Sequence, residues 1–236
     1  MPSSTGDNIT AKNANWKFDA KTAQNFEEHV VRSVPMYEQG HTLVEQFSDF
    51  FIKDDSTIYE LGSSTGKLSY RLSSKHEFRN ANFIAIDIEQ DMIDIASKKY
   101  KNKNLSFLCD DINTIELEKS DFIVAFYTVQ FIHPKLRQEL INKIYDSLEW
   151  GGGFIMFEKV RANDARFQDI ISTLYTEFKL SNGYSPNEII SKTKSLKGVL
   201  EPFSSNANVD MLKRAGFEDI LTIFKYLNFE GLLAIK

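Results

Sequence analysis

An open, doubly wound α/β sheet, parallel across most of its width, is the fold this sequence predicts. The first observation is an alternation from Ser56 to Glu158. Short apolar runs are each followed by a stretch with apolar residues at helical intervals. Strands that alternate with helices imply a parallel sheet covered on both faces. The second observation is the stretch Ile58-Tyr-Glu-Leu-Gly-Ser-Ser-Thr-Gly66, where an apolar strand enters a turn of small residues that opens a helix. The third is the placing of Glu60, Asp87 and Asp111 at the tips of successive strands. Open α/β sheets bind their ligands at that edge, where strand order reverses.

Composition narrows the class further. A chain of 236 residues can hold one sizeable α/β domain, and 19 Phe residues supply core material. The net charge of −5 gives no global attraction to nucleic acid or anionic membrane. Cys109 is the one cysteine, which excludes an internal disulfide and a cysteine zinc site. With no apolar run of membrane-spanning length and a polar start, the expected location is the cytoplasm.

Residues 1–15 are small and polar and are expected to be disordered unless a partner pins them. The remainder, 16–236, reads as a single domain. Phe18 to Val31 has apolar residues at helical intervals, and Pro35 biases Val34 away from helix. Met36 to Ile52 reads as a second amphipathic helix, so 16–53 forms a helical lid over the site or a pair of packing helices.

Ser56 to Leu61 is the first core strand, and Lys67 to Ser74 the helix after the turn. A phosphate-binding P-loop needs four residues between its glycines and Ser or Thr after the Lys; Leu68 follows Lys67 here. The dinucleotide fingerprint needs a middle Gly where Ser64 stands. Glu60, Gly62 and Gly66 instead match the turn of class I methyltransferases that bind S-adenosylmethionine (SAM).

Asn82 to Asp87 is an apolar strand ending in a carboxylate placed to accept hydrogen bonds from ribose hydroxyls, or to cap the next helix. That helix, Glu89 to Lys99, offers Met92 to the cofactor pocket or to the core. Leu105 begins a third strand that leads into Asp110 and Asp111. In SAM folds an Asp here accepts from the adenine amino group and the next residue packs on the ring, which favours Asp111 and Ile112. Ser120 to Phe126 is apolar throughout, as a strand covered on both faces should be. Lys135 to Trp150 reads as a helix closed by Gly151-Gly-Gly153, and Phe154 to Glu158 as the next strand. Residues 161–205 form a helical insertion. Asn208 to Ala215 is a short helix, and Phe217 to Tyr226 and Leu227 to Lys236 are the closing strands. The expected arrangement resembles the class I methyltransferase fold: a Rossmann-like, doubly wound seven-stranded sheet, mostly parallel with an antiparallel last strand. Lys98, Lys99, Lys101 and Lys103 make a basic run, but it lies at a helix C-terminus and lacks interleaved aromatic residues. Direct nucleic-acid binding is therefore not expected.

Further segments stand out, several of them outside the generic fold: Trp16-x-Phe18-Asp19, Arg32-Ser-Val-Pro-x-Tyr37, Thr128-x-Gln130-Phe131, Glu158-Lys159, Asn182-Gly-Tyr-Ser185, Ala215-Gly-Phe217 and Ala234-Ile-Lys236. On these, nearly the whole chain resembles the carboxy-S-adenosyl-L-methionine synthases. The resemblance implies SAM or carboxy-SAM as the bound compound, no metal, a homodimer, and a reaction of SAM with prephenate that gives carboxy-SAM and phenylpyruvate for tRNA wobble-uridine modification. By position it places cofactor contacts on Tyr37, Gly62, Ser63, Ser64, Asp87, Ile88, Asp111 and Ile112. Glu60, Gly66, Met92 and Phe126 complete the expected set.

Two departures bear on the chemistry. Phe126 stands where the family has Asn, and Thr193 in Ser191-Lys-Thr-Lys194 stands where the family has the Arg that pairs with the added carboxylate. Thr cannot imitate a bidentate guanidinium. The first expectation is thus a methyltransferase that uses ordinary SAM on a small-molecule acceptor, with Tyr127, His133 and Tyr184 as candidate catalytic groups. Carboxy-SAM synthesis with a relocated cation, Lys194 or Arg161, is the second. A non-catalytic SAM-binding subunit is the third.

Overall fold

The computed structural model describes residues 2–236. In chain order the elements are β1 (Ser3–Ser4), β2 (Thr10–Ala11), α1 (Ala20–Gln24), α2 (Phe26–Ser33), α3 (Tyr37–Ser48), β3 (Thr57–Leu61), α4 (Lys67–Lys75), β4 (Asn82–Asp87) and α5 (Gln90–Lys99). They continue as β5 (Leu105–Cys109), β6 (Ser120–Phe126), α6 (Pro134–Ser147), β7 (Leu148–Lys159), α7 (Ala165–Ser181), α8 (Pro186–Ser195), α9 (Ser205–Ala215), β8 (Asp219–Tyr226) and β9 (Phe229–Ile235).

The main sheet has the order β5-β4-β3-β6-β7-β9-β8. β9 runs antiparallel to both of its neighbours, and the pairs from β5 to β7 are parallel. The order reverses between β3 and β6, which opens a crevice at their carboxyl ends. Alternation along the strands supplies a core to each face. Tyr59, Leu61, Ile123, Ala125, Phe154 and Met156 pack with α6 and α9. Ile58, Phe122, Val124, Ile155 and Phe157 pack with residues of α3 and α4.

Four expectations need correction. Residues 3–11 form a two-stranded antiparallel hairpin, not a disordered tail. The Asp7 carboxylate in its loop is 1 % exposed and bonds His29 and Arg32, a long-range pairing that local composition does not carry. Ala14 N–H and Trp16 N–H then donate to Lys194 and Ser195 carbonyls, seating the segment on the end of α8. The helix expected over Phe18 to Val31 is broken at Asn25 into α1 and α2, with Asp19 capping the first. Its successor starts at Tyr37 and ends at Ser48. The largest shift is at Gly151-Gly-Gly153, which lies inside β7 and not at a helix end. A Cβ on Gly153 would stand 2.7 Å from the Phe51 ring, so the glycine is there for close approach. Among the described residues no helix is long and apolar enough to cross a membrane.

Candidate cofactor and acceptor site

A cavity of about 720 Å³ lies over the carboxyl ends of β3, β4 and β6. Its floor is the turn after β3. Gly62 and Ser63 N–H groups donate to the Ile86 carbonyl at 2.8 and 2.9 Å, which ties the turn to β4. Gly62 has φ +78°, and a Cβ there would fall 2.3 Å from the Thr128 side chain. Asp87 at the tip of β4 accepts from Ser64 N–H at 2.7 Å and Glu89 N–H at 3.0 Å. Burial pushes its pKa up, against the pull of these backbone donors. Ser63 Oγ is buried on the cavity with no partner, as a group awaiting a ligand would be.

Glu60 faces the same cavity, and burial raises its pKa to about 8, although the Ser69 hydroxyl donates to it. Asp111 turns the chain after β5, accepting from Asn113 N–H at 2.9 Å, and lines the cavity beside buried Ile112. Tyr37, Ser64, Ile88, Met92 and Phe126 also reach it. Tyr37 meets Phe126 edge-on at 5.3 Å and stacks on Tyr127 at 6.5 Å.

Of the expected cofactor set, only Gly66 does not line the cavity; it caps α4 with its missing Cβ toward Phe107. The catalytic candidates fare less well. Tyr184 stands behind the wall, its hydroxyl donating to Asp7 and its ring under Arg32 at 4.7 Å. His133 is exposed at the rim and caps α6, accepting from Lys135 N–H at 3.3 Å. Tyr127 does line the cavity, but burial raises its pKa well above the ordinary phenol value, so it stays protonated.

The cations differ from expectation too. Arg161 and Lys194 do not line the cavity, and Thr193 turns its hydroxyl to the Ile189 carbonyl at 2.8 Å. Lys159 and Lys192 line it instead, with Lys179 close by. Lys159 and Lys179 sit 4.4 and 4.5 Å from the Tyr175 ring centre, and Lys192 lies 5.1 Å over Trp16. Burial, reinforced by the mutual repulsion of the lysines, lowers Lys159 and Lys192 to about 7. Burial alone takes Lys179 to about 8. Among the described residues none of the three is paired with a carboxylate. His29, Trp16 and Tyr175 share this second arm. The sequence does not single out Lys159 or Lys192 as the residues that reach the cavity.

The donor set fits an adenosyl sulfonium: carboxylates at two strand tips, a free serine hydroxyl and an aromatic wall. Among the described residues no group of three or more His, Cys, Asp or Glu is placed to hold a metal ion.

Residues 58–152 match a family described as methyltransferase domain. A protein of Staphylococcus epidermidis named carboxy-S-adenosyl-L-methionine synthase is 37% identical over 94% of this chain and 97% of its own. One of the same name from Campylobacter lari is 37% identical, covering 94% of each chain. Among solved structures, human N-acetylserotonin methyltransferase in complex with SAM superposes with a TM-score of 0.64 at 17% identity, over 92% of this chain and 55% of that one. A SAM-dependent methyltransferase from Thermotoga maritima gives 0.59 at 16% identity, over 92% of this chain and 96% of that one.

Proposed function

The chain belongs to the carboxy-S-adenosyl-L-methionine synthase family, and from that premise we propose that it transfers the methyl group of ordinary SAM to a small-molecule acceptor. Binding of SAM or carboxy-SAM follows from the family; the use made of the sulfonium is our reading. Asp87 would hold the ribose hydroxyls, Asp111 the adenine amino group and Ile112 the ring face. Ser63, with its unpartnered hydroxyl, would meet the methionine part. Bound SAM supplies a methyl carbon made electrophilic by the sulfonium, so the protein's main task is alignment. Tyr37, Phe126 and Tyr127 form the aromatic wall that keeps water from this region.

The observation that carries the reading is the missing guanidinium. Among the described residues no arginine lines the cavity, and Thr193 is exposed with its hydroxyl spent on its own helix. A carboxylate added to the sulfonium would lose the bidentate partner that the family's Arg implies.

One observation favours the second reading, carboxy-SAM synthesis. Lys159 and Lys192 present cations to the cavity, and a buried cation without a carboxylate favours an anionic partner. The two readings separate in one incubation of the purified protein with SAM and prephenate, followed by mass spectrometry. Methyl transfer predicts no carboxylated sulfonium. Its clear appearance would establish the second reading, with Lys159 and Lys192 in place of the expected Lys194 or Arg161. The helical segment over 16–53 would act as a lid, and a homodimer is carried over from the family.

A further inference from the structure

We propose that Asp7, His29 and Lys192 form a proton-accepting relay at the acceptor end of the cavity. Lys192 is the catalytic group that takes the acceptor's proton, and His29 and Asp7 are positioning residues. The proposal rests on the reading that an acceptor is methylated in this arm.

The relay starts outside the cavity. Asp7 sits in the β1–β2 loop with φ 53°, and its carboxylate is held 2.5 Å from His29 Nδ1. A carboxylate that is ionised can only accept, so Nδ1 carries the ring proton and Nε2 keeps its lone pair. Nε2 in turn contacts Lys192 Nζ, which must therefore donate one N–H to it. That bond fixes the amine and leaves its lone pair for the cavity, which both His29 and Lys192 line. Trp16 braces the pair, stacking on the imidazole at 5.5 Å and 27°.

The surrounding charges suit the role. On the His29 side stand Asp7, Arg32 and Tyr184, the last with its hydroxyl 3.3 Å from Nδ1. On the Lys192 side stand Lys179 and Lys159, with Asp7 as the opposing charge. Burial and those lysines bring Lys192 to about 7, so a free amine is available at neutral pH. Burial, with the Lys192 charge, brings His29 to about 4, so the ring stays neutral. Asp7 supplies the counter-charge that lets the amine accept a proton in a desolvated site. A purely structural lock would pair the lysine with the carboxylate directly; here a neutral ring is interposed and the lysine faces open space.

In the step, the acceptor's oxygen or nitrogen gives its lone pair to the methyl carbon, and the carbon–sulfur pair returns to sulfur. The proton that the acceptor sheds passes to the Lys192 amine, whose new charge is balanced through His29 by Asp7. The acceptor is thus a weak acid with an O–H or N–H at its reacting atom.

The test needs no acceptor. Trace labelling of the full chain with acetic anhydride at a series of pH values, read by peptide mass spectrometry, reports when each lysine is a free amine. Lys192 is expected to reach half-labelling near pH 7, well below exposed lysines. Asp7→Asn should move that midpoint lower still, because the counter-charge is gone. A Lys192 that labels with the exposed lysines, or a midpoint indifferent to Asp7→Asn in a folded variant, would overturn the relay. Histidine nitrogen NMR on the unaltered protein guards against a variant that misfolds. It should show His29 neutral with the proton on Nδ1; the other tautomer, or an imidazolium at neutral pH, would also overturn it. Calorimetry with S-adenosylhomocysteine on the same samples keeps the two ideas apart. Absent binding would strike the cofactor reading, whereas the labelling result strikes the relay.

Discussion

Asp87 is the residue on which cofactor binding turns most directly. It already organises the turn through Ser64 and Glu89 and has lone pairs left for a diol. Asp87→Asn keeps the shape and removes the charge. A hydrogen bond to a charged group contributes about 1.5–3 kcal/mol, so affinity for S-adenosylhomocysteine should fall by about 10- to 150-fold in calorimetry. Glu60 makes a different prediction, about pH. Its pKa rises from 4.5 to about 8 on folding, and so does that of buried Glu158. A raised acid is protonated when folded and ionised when unfolded between those values. Stability is therefore full below pH 4.5 and declines as pH approaches about 8. Thermal melts of the ligand-free protein should show that decline, and Glu60→Gln should make it shallower. Both carboxylates were legible in the sequence, because each ends an apolar run. Tyr184 and His133 were harder to assign, because a side chain's direction depends on neighbours that the local sequence does not name. Tyr184 is claimed by Asp7 and His133 by the first turn of α6.

At the scale of the element, the β3–α4 turn and the β1–β2 hairpin behave as opposites. The turn was readable because its spacing is local and its glycine is demanded by geometry. Gly62→Ala places a Cβ against Thr128 at positive φ and should cost about 1–3 kcal/mol in urea denaturation, with weakened cofactor binding. The hairpin was unreadable because its anchor is a single carboxylate whose partners come from α2 and from beyond α7. Burial opposes ionisation of Asp7, yet hydrogen bonds from His29 and Tyr184 with the Arg32 charge hold its pKa at about 2, below the ordinary 3.8. The anchoring is then full above pH 3.8 and is lost as pH falls toward about 2. Hydrogen exchange should show α2 and α8 loosening in that acid window, and in Asp7→Ala at neutral pH as well. The helix end drawn at Gly151 failed for a related reason. In a run of glycines that would usually stop a helix, Gly153 serves instead to admit Phe51 against a strand.

For the molecule as a whole, the sequence carried the mostly parallel sheet and the strand-tip carboxylates of the cavity, since those follow from alternation and strand ends. The acceptor half was legible only as segments, not as side chains. Its groups come from α2, β7, α7 and α8, and only the fold gathers Lys159, Lys179 and Lys192 around Tyr175 and Trp16. The claim beneath all of this is that an adenosyl sulfonium lies across the tips of β3, β4 and β5. The most direct measurement is a crystal structure of the protein with S-adenosylhomocysteine. The account predicts the ribose hydroxyls on Asp87, the adenine between Asp111 and Ile112, and the sulfur above Gly62. An empty crevice at saturating ligand, or one that holds a dinucleotide instead, would contradict it.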